Sequence, residues 1–221
     1  MEKFVRLTAK ACPLALPNLN TDQILPARYL KWPRSAGLGR VLFQDLRFDA
    51  DGNARSDFPL NQLIWRDAKI LVAGRNFGGG SSREAAVYAL YDAGISCVIA
   101  PSFGDIFAQN AVNNGLLTAI LPEADIAELI AAITVDPDQF ISIDLDQQTI
   151  SRSNRSYAFA VDPVSRNQLL NGWDDIDLTE SNKDRIAAFQ YEDQKRRPWA
   201  LPTKPQGIAT IAECTEDLNR A

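Results

Sequence analysis

Histidine is absent from this chain of 221 residues. Its absence removes Ser-His-Asp and Cys-His nucleophile systems, and with them His-ligated zinc or iron. Proton chemistry is left to carboxylates, hydroxyls, Lys, Cys, Tyr, or a group on another chain. Cysteine is scarce: Cys12, Cys97 and Cys214 are widely spaced and form no CxxC pair. Such spacing offers neither a disulfide framework nor a zinc or iron–sulfur ligand set. Cys97, inside an apolar run, reads as a small core residue. Long apolar runs are missing too, so no segment approaches a membrane span. The first residues, Met1-Glu2-Lys3-Phe4-Val5-Arg6, lack the apolar stretch of a signal peptide, and the cytoplasm is the expected compartment. Positive charge is limited: Lys and Arg total 23 against 28 Asp and Glu, for a net charge of −5. The only Lys/Arg block is Lys195-Arg196-Arg197, so neither nucleic acid nor an anionic membrane is an expected partner.

What is present is ordinary for a globular protein, with 46% apolar and 23% charged residues. The length suits one substantial domain, or one domain with an appended tail. Residues 3–16 read as a first strand bent at Pro13. Between Pro17 and Pro26 lies a polar turn in which Thr21 and Asp22 are cap residues, or else carry Asp22 into a site. Residues 27–57 show no period, and Tyr29 to Gly37 reads as an exposed loop of the kind that often carries function. From residue 69 the pattern is regular. Strands at 69–73, 96–100 and 116–121 alternate with helices at 82–93, 104–114 and 123–134, which predicts an α/β core with parallel pairs. Segments 140–145, 149–152 and 156–161 alternate with period two and predict a second, small antiparallel sheet. Helices are expected at 162–171 and 180–197, the latter stopped by Pro198. The division expected is a domain over 1–172 and a C-terminal helical extension with a polar tail over 173–221.

The stretch Gly74-Arg75-Asn76-Phe77-Gly78-Gly79-Gly80-Ser81-Ser82-Arg83-Glu84 stands out. It follows the apolar Ile70-Leu71-Val72-Ala73 and precedes a helix. Its glycines permit positive φ and close backbone approach. Their amides, with the positive end of the next helix, form a cradle for a small carboxylate or phosphate. A nucleotide loop is the first alternative, and it fails on particulars. Gly80 stands where the Walker lysine belongs, and Arg83 stands where the last glycine of G-x-G-x-x-G belongs. Ser81 and Ser82 are candidates for chemistry on the bound group. Arg83, opposed to the helix dipole, calls for a compensating anion.

The motif Asn76-Phe77-Gly78-x-Gly80-Ser81-Ser82-Arg83-Glu84 resembles the signature loop of the swivelling domain in the aconitase superfamily. Three further motifs fall in family order: Asn20 to Lys31, Ser102 to Phe107 with Asn113 to Leu117, and Leu169 to Ile176 with Ile186 and Tyr191-Glu192. Together they resemble the small subunits of the 3-isopropylmalate dehydratases over about residues 1–198. The resemblance implies a swivelling β/β/α domain with a parallel-containing sheet, a small additional sheet and a C-terminal helical extension. It implies dehydration and rehydration of a 2-substituted malate, a small dicarboxylate. It also implies a [4Fe–4S] cluster carried by a large-subunit partner and not by this chain. By similarity Ser81 matches the catalytic base and Arg83 the carboxylate binder. Ser82, Asn76, Gly78, Gly80, Thr21 and Asp22 match substrate-binding positions. Tyr29, Leu30 and Lys31 fall where the family selects the substrate side chain.

Four positions depart from the family pattern. Gly79 stands where a Cys or another non-glycine residue is usual, and Ala85 where a His is usual; Val87-Tyr88 replaces Pro-Trp. Three readings follow from the resemblance and its departures. One is an isopropylmalate isomerase subunit of leucine biosynthesis. Another is a paralogue for a homoaconitate-like or benzylmalate-like substrate. The last is a non-catalytic partner that keeps the anion pocket.

Overall fold

The structure is a computed structural model and describes residues 1–200. Eight short strands form two four-stranded sheets. In the first, β2 (Ala11–Leu14), β3 (Ile70–Ala73), β4 (Cys97–Ala100) and β5 (Leu117–Ile120) lie side by side in that order and run parallel. In the second, β1 (Arg6–Ala9), β6 (Ile141–Asp144), β7 (Thr149–Arg152) and β8 (Arg155–Ala158) run antiparallel. The parallel sheet and the second small sheet are those the periodicities predict.

The helices are α1 (Thr21–Ile24), α2 (Gln44–Arg47), α3 (Glu84–Asp92), α4 (Asp105–Asn113), α5 (Glu123–Val135), α6 (Pro163–Asn171), α7 (Asp175–Glu180) and α8 (Lys183–Arg196). β3 and β4 are apolar at every position and buried throughout, as central parallel strands must be. Burying side chains such as Ile70, Leu71 and Val98 contributes roughly 1.5–3 kcal/mol each. α5 crosses β2, β3 and β4, while α3 and α4 pack on each other. α5 begins with Glu123 and Asp125 in its first turn, where carboxylates complement the helix dipole.

The N-terminal segment corrects the expectation of one strand bent at Pro13. Residues 6–14 form two strands in different sheets, and the chain changes sheet at Lys10. Pro13 lies within β2, opposite Val72. β2 is an edge strand, where a missing N–H costs no ladder bond on the solvent side. Most of Tyr29 to Gly37 is exposed, as expected, while the stretch 27–57 that holds it is ordered. Its 3-10 turns Ala27–Tyr29, Arg34–Ala36 and Leu38–Val41 bring Leu38, Val41, Leu42 and Phe43 into the core.

The chain divides into two compact units, Met1–Leu178 and a second that begins at Thr179. In the second, α8 is pinned by ion pairs from Arg197 to Asp193 and from Lys195 to Glu192. Its apolar residues Ile186, Phe189 and Tyr191 are exposed. Of the polar segment 199–221, residues 201–221, with Cys214, lie outside the described residues. Among the described residues no helix is long and apolar enough to cross a membrane.

Candidate active site

The glycine loop leaves the carboxyl end of β3, the edge of an open parallel sheet where ligands usually bind. Asn76, Gly78 and Gly80 all take positive φ, at 56°, 72° and 101°. Two neighbouring segments hold the loop. From the segment after β4, the Ser102 hydroxyl accepts the Asn76 N–H at 2.9 Å and the Ser102 carbonyl accepts the Phe77 N–H at 3.0 Å. From the segment after β2, the Leu19 carbonyl accepts the Gly78 N–H at 2.7 Å. Gly78 has no room for a side chain, because a Cβ there would stand 2.2 Å from the Phe107 ring. Gly79 is different. A Cβ there would meet only the amide end of Asn76, at 2.9 Å, and that amide donates to Asn18 Oδ1 at 3.1 Å.

The turn after β2 faces this loop residue by residue. Asn20, not Thr21 or Asp22, is the cap of α1. It closes a capping box with Gln23 in which each side chain bonds the other residue's backbone N–H. Thr21 is the first helical residue and is 1% exposed. Its N–H donates to the Gly79 carbonyl at 3.0 Å, and its Oγ1 lies 3.0 Å from Ser81 Oγ and 3.2 Å from the Ser81 carbonyl oxygen. Asp22 forms an ion pair with Arg83. The compensating anion that Arg83 calls for is thus supplied within the chain.

Arg83 caps α3 without a side-chain bond to the helix backbone. Ser81 and Ser82 are exposed, and Arg83 is partly exposed. Among the described residues no acceptor meets the backbone N–H groups of Gly80, Ser81 and Ser82. Three free amides and a guanidinium around an exposed hydroxyl can hold a carboxylate and stabilise negative charge on oxygen. The next residue, Glu84, accepts from Asn114 Nδ2 at 2.8 Å. Burial first, and then Glu84, raises the Tyr88 pKa above the usual phenol value. Ala85 is partly buried against the core.

Ser81, Ser82, Arg83, Asn76, Gly78, Gly80, Thr21 and Asp22 therefore fall on one loop and the turn facing it. Tyr29, Leu30 and Lys31 do not join them. Among the described residues no hydrogen bond, ion pair or ring contact links these three to Ser81, Ser82 or Arg83. Tyr29 instead packs edge-on against Trp32 at 5.0 Å beneath the Arg28 guanidinium, and Arg28 is forked onto Asp45. Arg34, in the Tyr29 to Ala36 segment that the resemblance assigns to the substrate side chain, links that segment to α3. Its guanidinium lies 4.4 Å from the Tyr88 ring centre and 3.3 Å from Asp92, both on α3. Behind it Gly39 sits against the backbone of Asp92 and Ala93. Asn18 was missed, and Ser102 was marked only as the start of a family motif, since neither carries a local signal for the bond it makes to Asn76.

Among the described residues no group of three or more His, Cys, Asp or Glu side chains is placed to hold a metal ion. Cys12 and Cys97 occupy adjacent rows of the parallel sheet and so point to opposite faces. Both are buried, which raises their thiols, that of Cys12 to about 12. Neither fits a cluster ligand, which must be a thiolate.

The aconitase C-terminal domain family matches residues 1–124. A protein of Rhodospirillum centenum named 3-isopropylmalate dehydratase small subunit is 50% identical over 202 residues, which cover 91% of this chain and all of that one. Its namesake from Paramagnetospirillum magneticum is 46% identical over 90% of this chain and all of its own length. Among solved structures, 3-isopropylmalate dehydratase (leuD) of Methanocaldococcus jannaschii superposes with a TM-score of 0.61 at 25% identity, covering 83% of this chain and 98% of that one.

Proposed function

The chain belongs to the aconitase C-terminal domain family and, within it, to the 3-isopropylmalate dehydratase small subunits, and on that footing we propose how its half of an active site works. It is the small subunit of a heteromeric hydro-lyase that interconverts 3-isopropylmalate and 2-isopropylmalate by dehydration and rehydration. The observation that carries the site assignment is the Ser81 hydroxyl, exposed at the start of α3 beside Arg83 and held by Thr21 at 3.0 Å.

Ser81, ionised, takes the proton from the substrate carbon. The C–H electron pair becomes the new double bond, and the hydroxyl on the neighbouring carbon leaves. Rehydration returns the proton from Ser81 to carbon and the hydroxyl to the other position. The free N–H groups of Gly80, Ser81 and Ser82 stabilise negative charge on the Ser81 oxygen. One such donor is worth about 3–4 kcal/mol in an oxyanion site. Arg83 receives a substrate carboxylate on the part of its fork not engaged by Asp22. Tyr29, Leu30 and Lys31 are assigned to the substrate side chain by their place in the N-terminal family motif. Lewis-acid help for the departing hydroxyl is assigned to a [4Fe–4S] cluster on the large subunit, since no described residue of this chain fits as its ligand. The working compartment is the cytoplasm.

The test is reconstitution with the large subunit and an isomerase assay on 3-isopropylmalate. Ser81→Ala should lose about 10²–10⁴ in turnover while assembly persists, the range for removal of a proton-transfer group. Turnover equal to wild type in that variant would overturn the role of Ser81. No turnover by the wild-type pair would overturn the reading of the subunit.

A further inference from the structure

Thr21 was grouped above with the residues that bind substrate, yet its geometry suits another task. It is 1% exposed, and its hydroxyl has two partners, both on Ser81: the carbonyl oxygen at 3.2 Å and Oγ at 3.0 Å. A hydroxyl has one proton to donate. While Ser81 is neutral, Thr21 can donate to the carbonyl and accept the Ser81 proton. When Ser81 is ionised it has nothing to donate. The arrangement that keeps the bond between the two hydroxyl oxygens then has Thr21 turned, with its proton on the Ser81 oxygen.

We propose that Thr21 is a positioning residue that acts through Ser81, by a hydroxyl rotor that donates to Oγ only in the ionised state; this rests on the reading of Ser81 as the base. The proton Ser81 releases goes to solvent, to which Ser81 is open in this chain. When Ser81 takes the proton from carbon, the Thr21 proton turns back to the carbonyl. Because the donation exists only with the charged oxygen, it favours the reacting state over the resting one and acts on turnover more than on substrate affinity.

The backbone is built for this. The Asn20–Gln23 capping box and the bond from Thr21 N–H to the Gly79 carbonyl fix Cα of Thr21 against the loop. Burial keeps water from replacing its hydroxyl. The charged groups on the surrounding elements are already engaged or lie at the margins. Arg83 of the loop pairs with Asp22 of α1, and Glu84 of α3 accepts from Asn114. Arg75 at the far end of the loop lies 4.0 Å from Glu123 of α5, and Asp105 opens α4 as an exposed residue. Neutral donors therefore decide much of the ionisation of Ser81.

The test has two arms. In the reconstituted pair, Thr21→Val keeps the shape and removes the donor, and Thr21→Ser restores it. Thr21→Val should lower kcat by about a hundredfold, the effect of losing one such donor. KM should stay within a few-fold, and the rise of kcat with pH should move to higher pH. Thr21→Ser should stay near wild type. The second arm needs no partner. Ser81→Cys provides a thiol at the same point, and its alkylation rate against pH, read by mass spectrometry at that residue, reports its ionisation. Adding Thr21→Val should slow that alkylation at neutral pH several-fold, and adding Thr21→Ser should not. An unchanged pH profile in the first arm, or unchanged alkylation in the second, would overturn the rotor. So would Thr21→Ser behaving as badly as Thr21→Val. If the Val variant fails to fold, Thr21→Ala in the thiol assay takes its place. A wild-type pair inactive on 3-isopropylmalate would count against the functional reading, whereas the thiol arm bears on the rotor alone.

Discussion

Asp22 and Arg83, 61 positions apart, form an ion pair that ties the first turn of α1 to the start of α3. Arg83 thus already holds one carboxylate of its own chain beside the substrate carboxylate we propose it binds. The pair is partly exposed, so its worth to the fold is only about 0–1 kcal/mol. Asp22→Asn should therefore leave thermal unfolding nearly unchanged. Freed from its internal partner, Arg83 should bind malonate more tightly in the isolated chain, as read by calorimetry. Arg83→Lys should cost the reconstituted enzyme at least about tenfold in kcat/KM, since lysine cannot grip a carboxylate with two parallel bonds.

The two adjacent loop glycines should behave differently. Gly78→Ala must adopt a φ of +72° and drive its methyl into the Phe107 ring. A loss of more than about 2 kcal/mol is expected, from strain and overpacking together. Gly79→Ala meets only a movable amide, so it should cost about 1 kcal/mol or less, near the value of the single Asn18–Asn76 bond it displaces. Denaturant midpoints of the two variants compare them directly. The departure at Gly79 thus has a local account: the space it leaves is taken by Asn76 folding back toward Asn18.

Arg34 should act as a tether. Its guanidinium lies over Tyr88 and beside Asp92, so Arg34→Ala releases the 29–37 segment from α3. Limited proteolysis should then cut within that segment faster than in the wild type. Global stability should fall by no more than about 1–2 kcal/mol, the combined scale of an exposed cation–π contact and an exposed ion pair.

Acid should weaken the fold through two carboxylates. The Asp45 pKa is lowered chiefly by its bond to Arg28, and that of Asp144 first by the Gln147 N–H and then by Arg6. A carboxyl held below its unfolded value contributes stability that is present above that value, near pH 4, and is lost as pH falls through the folded value. Unfolding midpoints should therefore be flat down to about pH 4 and decline below it. Asp45→Asn and Asp144→Asn should make the decline shallower.

Much of the core was legible because it rests on local pattern. Apolar runs at 69–73 and 96–100, with glycines and acids at the ends of the intervening helices, require β-α-β order whatever the rest of the chain does. The Ser-Ser-Arg cluster after four glycines stands out for the same reason, as a candidate anion site. The N-terminal strands were not. Pro13 reads locally as a bend and is harmless only because β2 lies at a sheet edge, and edge position is a property of the whole sheet. The cap of α1 was assigned one residue late because Asn20 and Thr21 are both good caps, and the choice rests on the reciprocal bond from Gln23.

By itself the sequence determined which chemistry is open to this chain. With no histidine and no ligand-spaced cysteines, proton chemistry falls to carboxylates, hydroxyls, Lys, Cys, Tyr or groups on another chain, and the serines at a glycine-rich helix start are candidates for it. Only the tertiary structure decided what surrounds that serine. Thr21 reaches Ser81 across 60 positions because parallel pairing of β2 with β3 sets the turn after one strand against the loop after the other. That register follows from burying both faces of the sheet, so no local stretch of sequence encodes it.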